Sequence, residues 1–131
     1  MPKLRRTFEA VPAELASARA AVNAFCEQEG VQPRLIDDIR LAVSEACANS
    51  ILHSRHENEH GVFTIDARRV SPRVIAIVVS DEGTGIKSPQ MPDGTIEFGI
   101  GIALIARLAT SVEIISRPGH GTRVSMRFLL E

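Results

Sequence analysis

Val74-Ile75-Ala76-Ile77-Val78-Val79-Ser80-Asp81-Glu82-Gly83-Thr84-Gly85 is the stretch on which the fold turns. Its first six residues are apolar on both faces, as a central strand covered on one side needs. A carboxylate then stands at the strand end, and two glycines let the backbone turn sharply behind it. Upstream, Val62, Thr64 and Asp66 alternate with Phe63, Ile65 and Ala67, which predicts a neighbouring strand, and Ser71-Pro72 marks the turn that makes the two a hairpin. Downstream, Val112 to Ser116 and Thr122 to Leu129 alternate in the same way, with Pro118-Gly119-His120-Gly121 as a tight hairpin turn between them. Residues 86–98 carry Pro89, Pro92 and Gly94 with little periodicity, so they read as a loop, and Ile100 to Ala109 reads as a short helix.

The N-terminal half supplies the layer that covers this sheet. Residues 4–11 alternate loosely enough for a short edge strand, which Pro12 ends. From Ala13 to Glu29 the chain is alanine-rich, with Leu15, Ala18, Val22, Phe25 and Cys26 at spacings of three and four, and Gly30 is the stop. Pro33 opens a second helix predicted to reach about Ser54, in which Ile36, Ile39, Val43, Ala46, Cys47 and Ser50 form a continuous small or apolar stripe. The order is therefore strand, two helices, two strands, loop, helix, two strands. It predicts an α/β (α+β) fold, a two-layer sandwich with helices on one face of a mixed, mostly antiparallel sheet.

A length of 131 residues suits one domain, 1–131, with a core large enough to do without disulfides. Hydrophobic residues at 44% and charged residues at 24% exclude a disordered or membrane-embedded class. With a net charge of −1 and basic residues interspersed with acidic ones, there is no electrostatic footprint for nucleic acid. The basic start, Met1 to Arg6, is followed by no long apolar region, so the expected place of work is the cytoplasm and no membrane is a partner. Cys26 and Cys47 sit among apolar neighbours in helical patterns without further Cys or His at ligand spacing, and they read as buried free thiols.

Three short segments carry candidate chemistry. On the second helix, at about 100° per residue, Asp38, Leu41, Glu45 and Asn49 fall on the face opposite Ile36, Val43 and Cys47. At i and i+4 a carboxylate can accept a proton or orient a hydroxyl while an amide oxygen ligates a hard cation such as Mg; a solvated pair gives the same pattern. Asp81 at its strand end can accept a hydrogen bond from an exocyclic amine, which favours adenine over guanine. Gly83 and Gly85 allow the backbone to approach a planar or anionic ligand, although a plain surface turn also uses Asp and Gly. Gly99-Ile100-Gly101 opens a helix whose free N–H groups can hold phosphate oxygens, or the glycines merely permit close packing. Thr122 adds a hydroxyl near the base or ribose, or is an ordinary hairpin residue. His53, at the helix end, is left out of the catalytic set.

Taken together in this order, the segments resemble the N, G1 and G2 boxes of the GHKL or Bergerat-fold ATPase superfamily, over nearly the whole chain. Val43-Ser44-Glu45-Ala46-Cys47-Ala48-Asn49-Ser50-Ile51-Leu52-His53 is similar to the N box of the anti-sigma factor serine/threonine-protein kinases, the switch-protein kinases. The resemblance implies ATP and Mg as cofactors, with Glu45 activating an acceptor serine, Asn49 binding Mg and Asp81 reading adenine. It implies that Gly83, Gly85, Gly99 and Gly101 shape the pocket, and that Gly121-Thr122 form the last glycine motif. It further implies partner switching, in which an anti-sigma factor antagonist is phosphorylated and a sigma factor is a client, with the chain acting as a homodimer. One departure is the segment from Ile86 to Phe98, which is short for an ATP lid and has Lys87 as its single cation. A non-catalytic nucleotide-binding module and a detached histidine-kinase-like catalytic domain are the alternatives.

Overall fold

The computed structural model describes residues 3–53, 61–82, 99–117 and 121–130. In chain order these form β1 (Lys3–Glu9), a 3-10 turn (Pro12–Glu14), α1 (Leu15–Gln28), α2 (Pro33–His53), β2 (Val62–Ser71), β3 (Val74–Asp81), α3 (Gly99–Leu108), β4 (Ser111–Arg117) and β5 (Gly121–Leu129). The five strands make one sheet in the order β1-β2-β3-β5-β4, so β3 is central as its apolar run requires. Every pairing is antiparallel, which simplifies the mixed sheet expected from sequence. The turn expected at 118–120 and the loop at 86–98 lie outside the described residues.

Alternation along the strands sorts the side chains cleanly. Phe63, Ile65 and Ala67 on β2, Ile75, Ile77 and Val79 on β3, and Val124, Met126 and Phe128 on β5 all point to the helical layer and are buried. They meet Ile39, Val43, Ala46 and Cys47 of α2 and, through α1, Ala18, Val22, Phe25 and Cys26. Each fully buried Ile or Phe contributes about 1.5–3 kcal/mol of transfer free energy, so this one core dominates the stabilising side. Phe8 stacks on Phe63 with ring centroids 5.4 Å apart and holds the edge strand β1 to the sheet.

Local signals set the helix ends. Pro12 begins a 3-10 turn closed by Glu14 N–H donating to Val11 C=O at 3.0 Å, and α1 starts only at Leu15, two residues later than the sequence pattern gave. Gly30 takes φ +70°, the left-handed conformation of a helix stop, while its N–H donates to Glu27 C=O and that of Val31 to Cys26 C=O. These two bonds are the Schellman pair, completed by burial of Val31. Pro33 occupies the first position of α2, where its missing N–H costs nothing.

Candidate functional site

The central helix α2 lies over the sheet with α1 on one flank and α3 on the other. This double flanking buries Ala42 and Ser44 along with the predicted stripe and narrows the polar face. Glu45 and Asn49, expected on the face opposite the stripe, are consequently half-buried. Asn49 goes further, since its Nδ2 is buried with no hydrogen-bond partner among the described residues. Leaving such a donor unmet costs about 1–3 kcal/mol.

The opposite wall comes from the sheet. Asp81 ends β3 and pairs across the ladder with Thr122 at the start of β5; both point to the helical side and are buried, at 8% and 7% exposure. Gly121 makes this pairing feasible. It sits at φ +87°, and a Cβ there would lie 2.0 Å from the Asp81 carbonyl oxygen, so the two strand ends meet only because position 121 has no side chain. The Thr122 hydroxyl is fixed by Ser116 Oγ on β4 at 3.0 Å.

Asn49, Asp81 and Thr122, which stand far apart in the sequence, therefore converge on one narrow cleft, whose apolar lining is Ala46, Ile102 and Val124, with Ser50 beside them. The cleft brings a carboxylate, a hydroxyl and an unmet amide beside apolar side chains, packed closely enough that no water-sized space is left between the described residues. A carboxylate of this kind can accept from an exocyclic amine, and a hydroxyl can donate or accept beside it. Gly99 and Gly101 lie in the first turn of α3, and Ile102 of the same turn lines the cleft. Glu45 is one turn along α2 from Asn49 and is not part of the cleft wall. Gly83 and Gly85 lie outside the described residues. A larger hollow of about 480 Å³ touches the same strand ends but opens on the other face of the sheet, where it is lined by Arg5, Thr7, Thr64 and Arg123. Asp81 and Thr122 line both, whereas Asn49, Ala46 and Ile102 line the narrow cleft and not the hollow.

Two contacts escaped the sequence reading. Arg19 Nε on α1 donates to Ser44 Oγ at 2.9 Å, and Ser44 Oγ donates to Arg40 C=O at 2.7 Å, which ties α1 to α2 immediately before Glu45. Ser116 steadies Thr122 through a contact between strands, and an alternating pattern carries no signal of it. Burial pushes the Cys26 thiol up to about 12, with a smaller contribution from Glu27. Cys47 is likewise pushed up to about 12 by burial, against a smaller opposing effect of Arg19, so both are inert free thiols as expected.

A helix-covered antiparallel sheet with such a cleft between its central helix, a glycine-started helix and two strand ends defines the class of histidine-kinase-like ATPase domains. The Histidine kinase-like ATPase domain family matches residues 8–128. The anti-sigma F factor of Clostridium acetobutylicum is 31% identical over 95% of this chain and 92% of its own length. That of Thermoanaerobacter sp. (strain X514) is 38% identical over 83% of this chain and 80% of its own. Among solved structures, the RsbU and RsbW domains of Rv1364c from Mycobacterium tuberculosis superpose with a TM-score of 0.78 at 21% identity, covering 99% of this chain and 33% of that one. The histidine kinase domain of the Erythrobacter litoralis EL346 blue-light activated histidine kinase gives 0.63 at 21% identity over 90% of this chain and 60% of that one. The chain belongs to the histidine-kinase-like (GHKL) ATPase family and, within it, to the group of the anti-sigma F factors.

Proposed function

We propose that the chain is an ATP-dependent protein serine/threonine kinase and anti-sigma factor, which phosphorylates an anti-sigma factor antagonist and binds a sigma factor. The observation that carries the reading is the convergence of Asn49, Asp81 and Thr122 on one cleft at the end of β3. Asp81 accepts from the adenine amino group, and Thr122, steadied by Ser116, supplies a second polar contact to the base. Asn49 would hold Mg through its amide oxygen Oδ1, leaving Nδ2 to donate to the nucleotide, and Mg bound there would neutralise phosphate charge. The first turn of α3, from Gly99, presents N–H groups to the phosphates. Glu45, one turn from Asn49, takes the proton of the acceptor hydroxyl as its oxygen bonds to the γ-phosphorus and the bond to the ADP oxygen breaks. The cytoplasm is where such partners are met; among the described residues no helix is long and apolar enough to cross a membrane.

The test is transfer of the γ-phosphoryl group to a serine-bearing antagonist by the wild type and by Glu45→Ala. The expected result is loss of transfer by about 100-fold or more with ATP affinity retained, the size associated with removing a general base. Unchanged transfer in the variant removes Glu45 from the mechanism. Nucleotide binding without transfer by the wild type would favour the non-catalytic module, for which the short segment from Ile86 to Phe98, with Lys87 as its single cation, is the supporting feature.

A further inference from the structure

At one end of the sheet, three neighbouring strands break their apolar alternation in the same row. On the side that faces the helices, Val79 of β3, Val124 of β5 and Ile114 of β4 stand together in the pairing register. One step further along that side, the same three strands carry Asp81, Thr122 and Ser116. Ser116 opposes Thr122 across one ladder and Thr122 opposes Asp81 across the next, so two hydroxyls and a carboxyl stand side by side at the edge of the core. The Ser116 and Thr122 hydroxyls are 3.0 Å apart. β4 is an edge strand and Ser116 is half-buried, whereas Thr122 is buried.

We propose that Ser116 is a positioning residue for base recognition: its hydroxyl donates to Thr122 Oγ1, which commits the Thr122 proton to the cleft side and makes Thr122 a donor to the base. This rests on the reading of the cleft as a nucleotide site. A hydroxyl has one proton and two lone pairs, and an ionised carboxyl only accepts. Were Thr122 to donate to Ser116, its lone pairs would be left facing Asp81, acceptor against acceptor. With Ser116 as the donor, the Thr122 proton remains available to Asp81 or to a bound base, and Ser116, at the sheet edge, has solvent within reach of its own lone pairs. Adenine presents an amine at C6 and, beside it, an acceptor at N1; guanine presents a carbonyl and an N–H in the same places. Asp81 accepts from the amine and Thr122 donates to N1. An unconstrained Thr122 hydroxyl would turn and accept from the guanine N–H. Holding its proton inward therefore adds a second point of discrimination to the one that Asp81 supplies.

The test is titration calorimetry of the full chain and its Ser116→Ala variant with three ligands in the presence of Mg: ATP, 1-deaza-ATP, which lacks the N1 acceptor, and purine riboside triphosphate, which lacks the amine. The wild type is expected to prefer ATP over 1-deaza-ATP by about tenfold, the scale of one hydrogen bond. Ser116→Ala should lose most of that preference while keeping the preference over purine riboside triphosphate, which reports on Asp81. Ser116→Thr and Ser116→Val have the same shape, suit a strand and differ in the hydroxyl alone, so Thr should restore the wild-type ratio and Val should not, even where Ser116→Ala loses stability. A hydroxyl pair that only joins β4 to β5 would shift all three affinities alike, and that outcome overturns the assignment. So does a wild type that binds ATP without preferring it to 1-deaza-ATP, or a preference that survives in both hydroxyl-free variants. A wild type that binds none of the three ligands overturns the nucleotide reading itself, and the role of Ser116 with it.

Discussion

Two glycines separate steric necessity from conformational preference. At Gly30 a methyl would meet nothing within 4 Å, so Gly30→Ala is charged only for its φ of +70°, about 1 kcal/mol. At Gly121 the same change also drives a Cβ against the Asp81 carbonyl, so Gly121→Ala should destabilise by clearly more than Gly30→Ala in urea unfolding. Equal losses would contradict the close approach of β5 to Asp81. Asp66 supplies a pH-dependent counterpart. The hydrogen bond from Arg68 holds its carboxyl below the ordinary 3.8 against a smaller opposing effect of burial, and the charges of Arg68, Arg5 and Lys3 act in the same direction as the hydrogen bond. Because the folded value is depressed, the contribution is present above the unfolded value and is lost as pH falls through the folded one. The stability difference between wild type and Asp66→Asn should therefore shrink as acid is added below about pH 3.8, read from urea curves across the carboxylate range. A difference constant with pH would contradict the pairing. Asn49, Asp81 and Thr122 were legible as residues of interest, since an amide on a helix, a carboxylate at a strand end and a hydroxyl after a glycine are visible in the string. The burial of the Asn49 amide was not, because it depends on α3 closing the second flank of α2.

At the level of elements, the periodicities carried most of what the chain reveals. The stripe from Ile36 to Ser50 and the unbroken run from Val74 to Val79 each name one element and its buried side. Strand order was less legible: β5 lies between β3 and β4, and pairing between strands separated by α3 leaves no periodic trace. The same holds for the clamp at the far end of the sheet. There Arg69 of β2 donates from Nε to Glu29 Oε1 at 3.0 Å, from Nη2 to Glu29 C=O at 2.5 Å, and from Nη1 to Pro72 C=O at 2.6 Å. One guanidinium thus joins the C-terminus of α1 to the β2–β3 turn, where its charge also suits the helix dipole. The bridge is largely sheltered, with the two side chains 20% and 12% exposed, so Arg69→Ala leaves a sheltered carboxylate and carbonyls unpaired. We expect a loss of about 2–3 kcal/mol in unfolding free energy, well above that of an exposed pair. A change within that of Arg40→Ala, whose 3.0 Å bridge to Asp37 is open to solvent, would contradict the clamp.

For the molecule as a whole, one layer of helices and one sheet leave two unlike surfaces. The helical side holds the cleft, and among the described residues no helix covers the other side of the sheet. Composition and length bounded the class of protein but could not separate these sides, since both are built from the same alternating strands and only the placing of α1, α2 and α3 decides which is covered. The central claim is that Asn49 and Asp81 form a single Mg-nucleotide site across that layer boundary. It is tested most directly by titration calorimetry of ATP with and without Mg on the wild type, Asn49→Ala and Asp81→Ala. The account predicts Mg-dependent binding by the wild type, weakened by each substitution, with Asn49→Ala removing most of the Mg dependence and Asp81→Ala most of the preference for ATP over GTP. Binding that is absent from the wild type, or that neither substitution alters, would contradict it.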